Sequence, residues 1–194
     1  MASELSKEPS VLSFANNEAW EQWLAKNYTR QEGIWLQFFK KGSGIATITY
    51  DEALDRALCY GWIDGQLKRF DEKSYLQKFT PRRARSMWSK RNRERAEWLV
   101  ETGLMHESGL KAIETAKRDG RWDAAYDKPS DMAMPSDFMQ ALAKIPKAAA
   151  FFETLNKANT YAIAWRLQTA KKPETRQKRF DDLLAMLARG EKLH

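Results

Sequence analysis

An α+β fold, a small mostly antiparallel sheet flanked by helices and followed by an all-helical C-terminal module, is predicted by three features of this chain. Runs rich in aromatic and branched residues are confined to the stretch from Ile34 to Thr80. From Ser86 onward the apolar spacing is helical almost to the end. Proline then punctuates the last third at Pro135, Pro146 and Pro173, at intervals that suit short helices. With 194 residues, 43% of them hydrophobic and 30% charged, the chain has the length and balance of a packed globule, unlike a disordered segment.

The elements follow in order. Asn16 caps a helix that places Ala19, Trp20, Trp23 and Leu24 on one side through Tyr28, and Gly33 is expected to stop it. Ile34 to Phe39 reads as a strand. Lys40-Lys41-Gly42-Ser43-Gly44 reads as its turn, and Ile45 to Thr49 as a second short strand, so that a hairpin is expected. Thr49-Tyr50-Asp51-Glu52 has the form of a capping box, and opens a helix whose buried stripe is Ala53, Leu54, Ala57 and Leu58, with Gly61 at its end. Trp62 to Arg69 and Ser74 to Thr80 form two strands, and Pro81 ends the sheet. Ser86 or Ser89 caps a helix that runs to about Thr102, and another spans about Glu107 to Arg118. Four short helices complete the chain, with Pro135, Pro146 and Pro173 in first turns, Asn159 as a cap, and Phe180, Leu183, Leu184 and Leu187 as the stripe of the last. Residues 10–126 are thus expected to form an α+β domain and residues 131–194 a helical module packed on it, joined through the polar stretch Asp127 to Met134.

Several function classes are disfavoured by what the chain lacks. No apolar run approaches the length of a membrane span, and Met1 to Pro9 has no apolar core of a secretory signal, so a cytosolic protein without membrane insertion is expected. The single cysteine, Cys59, forms no internal disulfide and sits among Leu58, Tyr60 and Trp62 as a buried small residue would. His106 and His194 are the only histidines, so no zinc site of the His/Cys type is expected, and neither glycine-rich phosphate motif of the nucleotide-binding folds occurs. No metal and no cofactor are expected. Gly42-Ser43-Gly44 behind two lysines reads either as a phosphate contact or as a flexible tip with solvated lysines.

The charge is unevenly spread. Between Lys78 and Arg95 lie eight basic residues against Glu94 alone, and this block accounts for the whole formal charge of +7. A field of that density attracts anions: a phosphorylated metabolite, a nucleic acid or an acidic partner. Asp64, placed in a strand between Ile63 and Gly65, is either solvated or paired with an arginine, for which Arg82 and Arg83 offer themselves just past Pro81. Trp62 and Trp88 serve either as core or as ligand platforms, and Asn92 stands beside them as a polar contact. Trp62, Asp64, Arg82, Arg83, Trp88 and Asn92 are therefore the candidate binding residues.

These segments carry a resemblance. Tyr50-Asp51-Glu52-Ala53, Gly61-Trp62-Ile63-Asp64-Gly65, Phe79-Thr80-Pro81-Arg82-Arg83, Trp88-Ser89 with Asn92, and Gly103 with Met105 resemble the YdeI/OmpD-associated family, also known as bacteriocin-protection proteins. The section from Pro135 through Ala141-Leu142 and Phe152 to Ala170-Lys171 and Glu174-Thr175-Arg176 resembles that family's small helical module. The resemblance implies a bacterial protein linked with resistance to antimicrobial peptides or with envelope stress, and it implies no catalytic mechanism. A small or anionic ligand held by the six candidate residues is the expected partner. Two other readings remain: a nucleic-acid binder using the basic block with Arg176, Lys178 and Arg179, and a cofactor-free enzyme with Asp64 or Glu52 as its acid or base.

Overall fold

The computed structural model describes residues 9–127, 132–170 and 172–193. The middle of the expected linker, residues 128–131, lies outside these, as do Lys171, His194 and residues 1–8. The described residues form two compact units: the first extends to Met87 and takes in Asn92–Asp123, and the second comprises Trp88–Arg91 and the residues from Ala124 on.

The first unit is built on a four-stranded mixed sheet. Its strands are β1 (Val11–Leu12), β2 (Ile34–Phe39), β3 (Trp62–Arg69) and β4 (Ser74–Pro81), in the order β1-β2-β4-β3. β1 runs parallel to β2, and the other neighbours are antiparallel. The helices are α1 (Asn17–Asn27), α2 (Tyr50–Cys59), α3 (Lys90–Glu101), whose first two residues are grouped with the second unit, and α4 (Glu107–Arg118).

Strand alternation explains which face is the core. Ile34, Leu36 and Phe38 are buried while Trp35, Gln37 and Phe39 are only half-buried, and register places Phe79 opposite Ile34 on the buried side. α1 closes this face with tryptophans. Trp20 meets the edge of Phe79 at 5.8 Å, Trp23 meets Trp62 at 5.8 Å and 89°, and Trp20 stacks on Trp23. The indole Nε1 of Trp20 donates to the Ala53 carbonyl and that of Trp62 to the Tyr28 carbonyl, so both rings enter the core with their polar atoms satisfied. Each such ring contributes about 2–3 kcal/mol by burial alone.

Two expectations about this unit are corrected. Residues 45–49 form no strand; β2 pairs instead with β4 along its whole length on one side and with β1 at Trp35 and Leu36 on the other. The segment instead folds as a loop pinned by the buried Ile48, whose amide donates to the Phe14 carbonyl. α1 ends at Asn27 without help from Gly33, which is glycine because a side chain there would run into Thr80 and the Phe79 carbonyl. β1, only two residues long, carries too little pattern to be read from sequence.

The capping box at α2 is present in full: the Glu52 amide donates to the Thr49 hydroxyl, and the Glu52 carboxylate accepts from the Thr49 amide. The Thr49 hydroxyl and then its amide hold the Glu52 carboxyl below its ordinary value, against a small opposing effect of burial. A depressed acid contributes stability above its ordinary pKa and loses it as pH falls through the folded value. Thr49→Ala is therefore expected to cost about 1 kcal/mol at neutral pH. In denaturant titrations the gap to wild type should narrow as pH falls below 4.5, the ordinary Glu value; a gap that does not depend on pH would refute the cap as its cause.

The second unit contains α5 (Ser136–Ala143), α6 (Pro146–Glu153), α7 (Lys157–Gln168) and α8 (Pro173–Ala188). Phe138, Leu142, Ala148, Ile163, Leu167, Leu183 and Leu187 form its core, as the stripe on the last helix anticipates. Pro146 and Pro173 occupy first-turn positions, whereas Pro135 stands one residue earlier, at the N-cap. Asn159 is not the cap of α7. Asn156 fills that role by accepting from the Asn159 amide, and Asn159 lies buried inside the helix, where its Oδ1 accepts from the Leu193 amide.

Candidate functional site

A concavity in the first unit lies where β2 ends. Lys40 and Lys41 leave the strand, Gly42 and Gly44 turn the chain at φ of 84° and 76°, and the loop runs back past Ile48 to the start of α2. The result is a groove of about 680 Å³, walled by Phe38, Phe39, Tyr50, Tyr75 and residues 40–49. This volume suits a small molecule. Phe38 and Tyr75, cross-strand neighbours in register, stack at 5.3 Å and 14° to form the floor. Burial pushes the Tyr75 phenol above its ordinary pKa, so the ring stays neutral and offers a hydroxyl near neutral pH. The Lys40 ammonium is tied to the Glu72 carbonyl at 2.8 Å, and Lys41 is exposed.

One candidate residue reaches this groove indirectly. Asp64 is half-buried on β3, and its Oδ2 accepts from the Tyr50 hydroxyl at 2.8 Å. Tyr50, the first residue of α2, is thereby held by the neighbouring strand while it lines the groove. The adjacent acids have other tasks: Asp51 pairs with Arg95 at 2.9 Å, and Glu52 closes the capping box. The helix N-terminus already faces the Glu52 carboxylate, which weakens the case for a phosphate beside Gly42-Ser43-Gly44.

Each of the other candidates has a setting of its own. Trp62 is fully buried beneath α1. Arg82 donates to the Met87 carbonyl at 2.9 Å, while its amide bonds the Gly61 carbonyl, so it braces the turn after β4 without forming an ion pair to Asp64. Arg83 is exposed and Asn92 half-buried. Trp88 belongs to the second unit, buried there in a segment whose carbonyl accepts from the Tyr126 amide, and Ser89 bridges Tyr126.

The basic block is less available to an anion than its density suggests. Arg95 is clamped by Asp51 and Asp55, Lys90 meets Asp127 at 2.6 Å, and Arg93 has Glu97 and the Trp122 carbonyl nearby. In the second unit Arg176 holds Asp137 with two nitrogens, and Arg179 donates to the Arg166 carbonyl. Sequence reading missed Arg121, which is 4% exposed: it grips the Asp119 carboxylate and donates to the Ser86 carbonyl at 2.7 Å. The one local sign of it was the pair Asp119 and Arg121 around Gly120, which is too common to single out.

Burial pushes the Cys59 thiol up to about 12, so it stays protonated and is a poor nucleophile. His106 caps α4 through its ring and stacks on Tyr60 at 4.7 Å. Among the described residues, no group of three or more His, Cys, Asp or Glu is placed to hold a metal.

Residues 12–112 match the family described as Domain of unknown function (DUF8412), and residues 131–190 match the family described as Bacteriocin-protection, YdeI or OmpD-Associated (OmdA). The resemblance read in the helical section is thus met by the second match, while the motifs from Tyr50 to Met105 fall within the first. No curated protein and no solved structure matches the chain.

Proposed function

The chain belongs to the family described as Domain of unknown function (DUF8412), and from that premise we propose that it is a bacterial cytosolic binding protein that serves in bacteriocin protection or envelope stress. Its match to the YdeI or OmpD-associated family over residues 131–190 supports the physiological part of this reading. The groove supports the molecular part. A cavity of about 680 Å³ with a Phe38–Tyr75 floor and lysines at its rim suits a small, largely apolar ligand that bears an anionic group. In this reading Phe38, Tyr50 and Tyr75 make the apolar contact, Lys41 meets the charge, and Asp64 positions Tyr50.

The nucleic-acid reading based on the 78–95 block draws less support, because Lys90, Arg93 and Arg95 have carboxylates beside them. An acid or base role draws less still. Glu52 is spent on its cap, and the Asp64 carboxylate is spent on Tyr50.

Titration with the fluorescent anion 1-anilinonaphthalene-8-sulfonate tests the groove. Asp64→Ala and Tyr75→Ala are expected to weaken binding by about tenfold, the loss of one or two contacts at about 1.4 kcal/mol per decade, with Arg83→Ala unchanged. Cooperative melts of the variants exclude a loosened core as the cause. Equal affinity across all three variants would rule the groove out. In the physiological arm, cells carrying Asp64→Ala should survive a bacteriocin challenge less well than cells carrying the wild-type chain.

A further inference from the structure

Helices α1 and α2 pack on the face of the sheet that carries Leu36 and Phe79, and the strand register assigns a different set of side chains to the opposite face. There Trp35 of β2 lies directly across from Lys78 of β4, and Lys68 of β3 lies across from Leu76. The Lys68 ammonium stands 4.2 Å from the centre of the Trp35 ring and that of Lys78 stands 5.7 Å from it. To reach the indole from β3, the Lys68 stem has to cross β4 above Leu76, which is 1% exposed although it points away from α1 and α2.

Two like charges thus converge on one aromatic ring. Neither takes part in an ion pair among the described residues, and the paired residues of this face include no carboxylate. Within the basic block Arg95 and Lys90 have their counter-charges, whereas Lys78, its first member, shares with Lys68 of β3 the π-cloud of an indole. An ammonium on a long flexible stem gives up such a perch readily when a phosphate approaches, and the vacated ring is then free to stack on a base.

We infer that this face, with Trp35 as its platform and Lys68 and Lys78 as its phosphate contacts, binds single-stranded nucleic acid. Base stacking on an aromatic ring combined with cations that track the backbone is the physical basis of sequence-tolerant single-strand binding. A duplex keeps its bases stacked inside and has no use for the indole. An acidic protein would engage the lysines but not the ring. The surface is separate from the groove beside Lys41, so the two proposals stand or fall independently.

The test is fluorescence anisotropy with a labelled oligothymidylate of about 12 nucleotides, within the site sizes of single-strand binders, in about 50 mM salt, where phosphate contacts are strong. Lys68→Ala and Lys78→Ala should each weaken binding by about five- to tenfold and flatten its salt dependence, one phosphate contact at a time. Arg83→Ala and Arg85→Ala should stay within about twofold, as cations outside the contact surface do. Wild-type protein should bind oligothymidylate more tightly than an abasic strand of equal length, a comparison that needs no substitution at Trp35. Absence of binding at low salt, equal losses in the arginine variants, or equal binding of the abasic strand, the duplex or polyglutamate would each overturn the inference.

Discussion

Arg121→Ala should lower the stability of the protein by about 2–3 kcal/mol. Breaking a buried ion pair by removing one partner commonly costs about 3–5 kcal/mol, and the Asp119 side chain, 45% exposed, recovers part of that from water. The guanidinium is itself 4% exposed, and it bonds both the Asp119 carboxylate and the Ser86 carbonyl. With Arg82 holding the next carbonyl, that of Met87, two arginines fix the turn between β4 and α3. A planar fork reaches the carboxylate and the carbonyl from nitrogens set apart in one plane, a spacing that the compact ammonium reproduces poorly. Arg121→Lys should therefore recover less than half of the loss in urea denaturation. Full rescue by lysine would mean that the position needs only a charge.

A loss of about 2 kcal/mol is expected for Gly109→Ala, although alanine is the better helix former by about 1 kcal/mol. Gly109 lies in α4 against the last turn of α2, and a methyl there would overlap the Cys59 carbonyl and the Met105 sulfur and sit 2.8 Å from the Leu58 carbonyl. The sulfur can shift, but the two carbonyls belong to the backbone of α2. Overpacking against atoms that do not yield falls at the upper end of its usual cost of about 1–3 kcal/mol and outweighs the gain in propensity. Thermal melts decide it: a variant that melts at or above the wild-type temperature would show that α4 moves away freely.

What was legible in the sequence was local. The capping box at Thr49 and Glu52, the hairpin of β3 and β4, and the apolar stripe of α8 each depend on residues a few positions apart. β2 was recognisable as a strand, but its partners were not, because pairing with β4 is decided by which edges remain free. The same limit governs the candidate site. Asp64 stood out as a carboxylate in a strand, yet its partner is Tyr50 across the fold, and the arginines nearby in sequence are engaged with the Met87 carbonyl or exposed. The pairing within the charge block was hidden for a related reason. Arg95 looks free in a run of cations, and its counter-charges, Asp51 and Asp55, sit on another helix. Asn156 and Asn159 show the limit at close range: either can cap a helix, and burial against Leu193 decides which does not.

The placement of β2 between β1 and β4 also matters during synthesis of the chain. Its antiparallel partner is made only after residues 40–73, which include α2 and β3, have been added. At about 5–20 residues per second, a ribosome leaves the Ile34, Leu36 and Phe38 stripe without that partner for roughly 2–7 s. A short apolar strand in that condition is prone to pair with other chains, and charges placed at its end oppose this. Lys40 and Lys41 directly follow Phe39. The lysine pair at the rim of the groove is thus also placed to guard the nascent strand until β4 arrives.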